Sequence, residues 1–124
     1  MADYYDSMIE VADDAAVLAV SGETDLYTAP RFKRDVERLL SSTSGSVVLD
    51  LTDLDLIDST ALRILISALA QASDEGRSLL LVIARRHVLR VFAITGLRGF
   101  FSIFSTRDEA LDALAGGHRL GEAA

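Results

Sequence analysis

Three short, almost unbroken apolar runs restrict what this chain can fold into more than any other feature. They are Ser46-Val47-Val48-Leu49-Asp50-Leu51, Leu79-Leu80-Leu81-Val82-Ile83 and Phe101-Ser102-Ile103-Phe104. A strand wetted on one face alternates apolar and polar residues. A run that is apolar on both sides must be covered on both faces, as parallel strands flanked by helices are. Helical patterns lie between the runs. The first starts with Thr28 as cap and Pro30 in the first turn, carries Phe32, Val36, Leu39 and Leu40 on one face, and ends in Ser41–Gly45. The second runs from Ser59 to about Glu75 and stops at Gly76; the third uses Val88, Leu89, Val91 and Phe92 and stops at Gly96. A last helix covers Arg107–Leu114.

Upstream of these, alternation predicts a hairpin with strands near Asp6–Val11 and Ala15–Val20, joined around Asp13-Asp14, whose side chains favour turns. The fold class is therefore α/β: a mixed sheet of about five strands, an N-terminal hairpin followed by parallel βαβ units, with about four helices. A chain of 124 residues suits one core, so residues 1–115 are expected to form a single domain, with 116–124, rich in glycine, as a flexible C-terminal tail.

The chemistry that is missing narrows the function. Twelve basic against nineteen acidic side chains give a net charge of −7, which repels nucleic acid. Without cysteine there is no disulfide, thiolate zinc site or cysteine nucleophile. The start Met1-Ala2-Asp3-Tyr4-Tyr5-Asp6 lacks the order of a signal peptide and no apolar run reaches the ~18 residues of a membrane span, so a cytoplasmic protein with no membrane partner is expected. The two histidines, His87 beside Arg85 and Arg86, and His118 near the end, show no sign of burial or orientation as catalytic bases. Asp50, Asp53, Asp55 and Asp58 match no metal-ligand spacing and read as strand-end and turn residues with one helix cap. A phospho-receiver domain needs an acidic pair after its first strand and a lysine after its last. Here Asp13-Asp14 precede a strand and Lys33 lies in helix one. Arg85, Arg86, His87 and Arg90 read as a solvated helix start. No catalytic residue, cofactor or metal is expected, and the chain is read as an interaction protein rather than an enzyme.

The second helix carries the most information. At about 100° per residue, Thr60, Arg63, Ser67, Gln71 and Asp74 form a narrow polar stripe with Ser59 at its edge. Leu62, Leu65, Ile66 and Leu69 form the core stripe, and Ala61, Ile64, Ala68 and Ala72 widen the apolar arc beyond what a surface helix needs, leaving a neighbouring helix or a partner to cover it. Asp58-Ser59-Thr60 follow Leu54-Asp55-Leu56-Ile57 and offer three side chains able to cap the helix.

The segment Val47 to Leu62, with Ile57-Asp58-Ser59-Thr60-Ala61 at its end, resembles the STAS-domain family, specifically the bacterial anti-sigma-factor antagonists. Ser21-Gly22-Glu23-Thr24-Asp25 resembles that family's Gly-Glu-x-Asp loop, Val88-Leu89-Arg90-Val91-Phe92 through Thr95-Gly96-Leu97 its third-helix signature, and Phe101–Phe104 with Asp108-Glu109-Ala110-Leu111 its end. The likeness spans about Val17 to Leu114. It implies a STAS-like sheet and phosphorylation at Ser59, with Thr60 as the alternative acceptor, by an anti-sigma factor that is also a serine kinase. The unphosphorylated protein would bind that factor and release the sigma factor, and a PP2C-type phosphatase would restore it. Partner contact would fall on Gly22, Asp25, Asp58, Ser59, Thr60 and Arg63. No cofactor, nucleic acid or membrane is implied, and a homodimer is compatible with the likeness. The alternative role is a STAS scaffold subunit of a larger stress-signalling assembly. Thr60 and Ala61 depart from the serine and glycine common there, and Ala61 would bring a methyl group where a partner backbone approaches.

Overall fold

The computed structural model describes residues 4–12 and 15–116. Along the chain it contains β1 (Tyr5–Ala12), β2 (Ala15–Thr24), α1 (Ala29–Ser42), β3 (Ser46–Asp50), β4 (Leu54–Ile57), α2 (Ser59–Asp74), β5 (Leu79–Val82), α3 (Arg86–Ile94), β6 (Ser102–Phe104) and α4 (Arg107–Ala115). The sheet order is β1-β2-β3-β5-β6, with β4 beside β2. β1 and β2 are antiparallel, Tyr5 opposite Gly22, and every later pairing is parallel. The expected Asp13-Asp14 turn and the tail from Gly117 onward lie outside the described residues.

The apolar runs are central because they have two faces to bury. Val47 and Leu49 of β3 join Phe32, Leu39, Leu65 and Phe92 in the core under α1, α2 and α3. Val48, with Val17, Leu80 and Val82, packs against Ala110 of α4 on the other face. Each fully buried Leu or Val contributes roughly 1.5–3 kcal/mol. Three helices on one face and one on the other therefore follow from runs that leave neither face polar.

Two details refine the sequence reading. The sheet has a sixth strand: Leu54–Ile57, expected as a strand-end segment, is a separate strand that pairs with the end of β2, Thr24 opposite Ile57. β3 stays with β2 only as far as Ala19, the chain turns at Leu51 with Leu54 N–H donating to the Leu51 carbonyl at 3.1 Å, and it rejoins β2 further along. Thr28 is also not the side-chain cap of α1. Its backbone is already helical, and its hydroxyl donates instead to the Glu23 carbonyl at 2.9 Å.

Helix two behaves as the pattern implies. Ala61, Leu62, Leu65, Ala68, Leu69 and Ala72 are buried, while Arg63, Ser67, Gln71 and Asp74 are exposed. The wide apolar arc is partly covered by α1, with Ile64 and Ala68 facing Val36 and Leu40 across a shallow groove. A left-handed Gly76 (φ 70°) follows the helix, as expected, because L side chains disfavour that conformation.

Candidate functional site

The end of β2, the turn that follows it and the start of α2 are knitted into one corner. Asp58 N–H donates to the Thr24 carbonyl at 3.1 Å, and the Thr24 hydroxyl donates to the Leu56 carbonyl at 3.1 Å. Asp25 and Ser59 are each one residue beyond that bonded pair. Sequence positions 34 apart are thereby brought to the same edge of the sheet.

Gly22 shapes this corner from beneath. It is buried with φ 95°, and a β-carbon there would run into the Tyr4 carbonyl. Glycine alone tolerates both the conformation and the approach. The pairing with β4 slips register between Gly22 and Glu23, as at a bulge, and Gly22 N–H reaches the Asp53 carbonyl at 3.2 Å.

Asp25 holds the turn. Its Oδ1 accepts hydrogen bonds from Tyr27 N–H at 2.9 Å and Thr28 N–H at 3.0 Å, and the Thr28 hydroxyl accepts from Asp25 N–H at 2.9 Å. Asp25 thus closes the turn ahead of α1, while Thr28 stays at the N-cap position without capping through its side chain. The turn it fixes presents Leu26 and Tyr27, which are 69% and 82% exposed. Sequence reading missed both residues. Their only signal is two large apolar side chains in a loop between polar residues, and isolated exposed hydrophobics are common.

Asp58 caps α2 in extended conformation, its Oδ1 accepting from Ala61 N–H at 3.1 Å. One of the first-turn N–H groups that lack an intrahelical acceptor is thereby satisfied. Ser59 is exposed, and among the described residues its hydroxyl has no hydrogen-bond partner. Thr60 is half-buried, and Arg63 is exposed one turn along. Ala61 is fully buried, so its methyl group points into the core and leaves a partner's approach clear.

The other polar clusters are structural. Asp50 accepts from Thr52 N–H at 3.0 Å and from Arg107 Nε at 2.8 Å, and Arg107 pairs with Glu10 at 2.7 Å. Burial acts to raise the Asp50 pKa, but the bonds from Thr52 and Arg107 outweigh it and hold the carboxyl below its usual range. Arg85 pairs with Asp55, which draws one cation of the expected solvated cluster back onto β4. His87 is exposed as expected, yet its ring is oriented, Nε2 lying 2.5 Å from the Asp55 carbonyl. Among the described residues no group of three or more His, Cys, Asp or Glu is placed to hold a metal, and no helix is long and apolar enough to cross a membrane.

Fold and corner together define a small α/β domain whose exposed Ser59 hydroxyl opens α2 while the apolar tip of Leu26 and Tyr27 lies in the turn before α1, at the same edge of the sheet. A family model described as the STAS domain matches residues 6–110. RsfB of Mycobacterium tuberculosis, an anti-sigma-F factor antagonist, is 33% identical over 113 residues, 88% of this chain and 90% of that protein. The anti-sigma-B factor antagonist of Listeria monocytogenes is 31% identical over 90 residues, 73% of this chain and 79% of its own. The crystal structure of an anti-sigma factor antagonist from Mycobacterium paratuberculosis superposes with a TM-score of 0.82 at 27% identity, covering 91% of this chain and 96% of that one. The chain belongs to the STAS domain family.

Proposed function

We propose that this protein is a cytoplasmic anti-sigma factor antagonist that works by binding and is switched at Ser59. Unphosphorylated, it docks on an anti-sigma factor with serine kinase activity and frees the sigma factor; phosphorylated at Ser59 it lets go, and a PP2C-type phosphatase resets it. The observation that carries this reading is the unpartnered Ser59 hydroxyl at the start of α2, one residue beyond the Asp58–Thr24 bond that ties it to the Asp25 turn. The names of the relatives support the reading. Thr60, half-buried, is the less accessible acceptor. Gly22 contributes by shape, Asp25 by fixing Leu26 and Tyr27, and Arg63 by charge at the rim.

Energies explain why a phosphate here would act on binding. At an exposed helix start the dipole and free N–H groups favour a dianion by ~0.3–1 kcal/mol, and Arg63 at i,i+4 adds a few tenths while Asp58 subtracts about as much. Buried against a surface shaped for a hydroxyl, the same charge costs about 3–5 kcal/mol. Since ~1.4 kcal/mol is tenfold, affinity falls by about two or more orders of magnitude. The test is capture from lysate with Ser59→Ala, identification of the bound protein, and calorimetry of that protein with Ser59→Ala and Ser59→Asp. Tight binding by the first and much weaker binding by the second is expected; equal affinities remove Ser59 from the switch.

A further inference from the structure

The chain carries a net charge of −7, yet α3 and the turn beyond it gather cations. Arg86, His87, Leu89, Arg90, Ala93 and Arg98 line one shallow groove of about 400 Å³. Arg86, Arg90 and Arg98 are exposed, and among the described residues none of the three pairs with a carboxylate. Arg85 shows the contrast, since it precedes the helix and turns back onto Asp55. Asp55 is thus used at the helix start, and no acidic side chain lines the groove among the described residues. Cations at a helix N-terminus also oppose its dipole, and the carboxylates described at this helix start, Asp55 and Asp53, are both engaged with Arg85.

Apolar groups accompany the charge. Arg86, Arg90 and Ile94 are spaced four apart and share one face of α3, and Ile94 is 74% exposed. Phe100, 57% exposed, stands edge-on to Phe101 with ring centres 5.7 Å apart, and Phe101 packs the same way on buried Phe92. Phe100 is therefore held out on a rigid base. A lone exposed arginine or isoleucine needs no explanation; cations set with Leu89 and Ala93 along one groove of an acidic chain, with Ile94 and Phe100 exposed on the same helix and the turn beyond it, do.

We propose that the α3 groove docks an acidic amphipathic helix of a protein partner. Its carboxylates face Arg86, Arg90 and Arg98, and its apolar residues lie on Leu89 and Ala93, extending toward the exposed Ile94 on the same helix. The charge complementarity is local, and the rest of the chain, being acidic, is repelled by an anionic bilayer, so a protein segment fits where a membrane does not. The surface goes beyond the proposed switch and makes no use of Ser59.

The probe is a synthetic helical peptide of Glu, Ala and Leu with one acidic and one apolar face, titrated into the ¹⁵N-labelled full chain and followed by NMR. Saturable shifts in α3 and in the turn through Phe100 are expected, weakening with salt. Arg86→Glu combined with Arg90→Glu should lower affinity by about tenfold, and Arg90→Gln by a smaller factor. Arg34→Glu on α1, an equal charge change per residue, should leave it within about twofold. All these side chains are exposed, so melting checks that each variant folds. The proposal is overturned by absent or non-saturable shifts, by shifts away from α3, or by an equal loss in Arg34→Glu. It is also overturned by equal binding of a peptide with Lys in place of Glu, or by phosphatidylglycerol vesicles binding through α3 when the peptide does not.

Discussion

At the end of β3 the Asp50 carboxylate is buried and takes hydrogen bonds from Thr52 and Arg107, whereas at the end of β4 the Ser59 hydroxyl stands exposed with no partner in the described chain. Asp50 ends one strand and Ser59 opens the helix that follows another, yet they meet opposite requirements. Asp50 ties α4 to β3, and Arg107 carries the tie on to β1 through Glu10. The guanidinium beside two carboxylates is correspondingly held above its usual pKa. Near Ser59 the polar groups with structural work are its neighbours: Asp58 caps the helix and Asp25 holds the turn. A rigid frame with one unengaged group on it is what a binding surface needs, because little ordering cost remains to be met on docking. A closed network stabilises the domain and leaves nothing free for a partner.

That contrast can be broken in steps. The largest effect is expected from Gly22→Ala, since strain at a left-handed site and collision with the Tyr4 carbonyl should together cost at least ~3 kcal/mol. Thermal melting should show a fall of roughly 10 °C. A change of only a degree or two would mean the β1–β2 pairing yields easily there. Next, Tyr27→Ala should remove ~2 kcal/mol of partner binding, about thirtyfold, with melting unchanged, because the ring is almost wholly in water until a partner covers it. Unaltered affinity by calorimetry would take the apolar tip out of the interface.

Asp50→Asn should cost about 2 kcal/mol at neutral pH by weakening the bonds to Arg107 and Thr52. Asp50 also makes a signed prediction. Its pKa is lowered by folding, so its contribution is complete above the ordinary carboxylate pKa of ~3.9 and is lost as pH falls through the lower folded value. Melting curves of wild type and Asp50→Asn should therefore converge as the pH falls below ~4. A constant gap would mean the carboxylate charge is not what holds α4. A smaller loss of stability than at Gly22 or Asp50 is expected from Asp25→Ala, which removes an acceptor of two backbone N–H groups and should cost about 1 kcal/mol while weakening partner binding through a looser turn. Full partner affinity alongside lowered melting would confine Asp25 to the fold.

What could be read from the residues alone follows from how far apart the interacting groups lie. The runs around Val47, Leu80 and Ile103 and the periodicity of Leu62, Leu65 and Leu69 are local, so the core strands and α2 were legible. β4 was not, because four residues with Leu56 facing solvent show no period, and only pairing with β2 makes them a strand. The link from Asp50 to Arg107 spans 57 positions and leaves no local trace. Ser59 was legible as a helix-start residue and through the motif around it. That its hydroxyl stays free while Asp58 does the capping is a fact of geometry. Asp25 was placed in the right loop, but its bonds to Tyr27 and Thr28 and the exposure of Leu26 needed coordinates.

The central claim, that Ser59 is a binding switch on a frame it does not support, is tested most directly with purified phospho-Ser59 protein beside the unmodified form, measured for both melting and affinity toward the captured anti-sigma partner. The account predicts affinity lower by about a hundredfold or more, with stability changed by less than ~1 kcal/mol. A large drop in melting temperature with loss of α2 helicity by circular dichroism, or undiminished affinity, would contradict it.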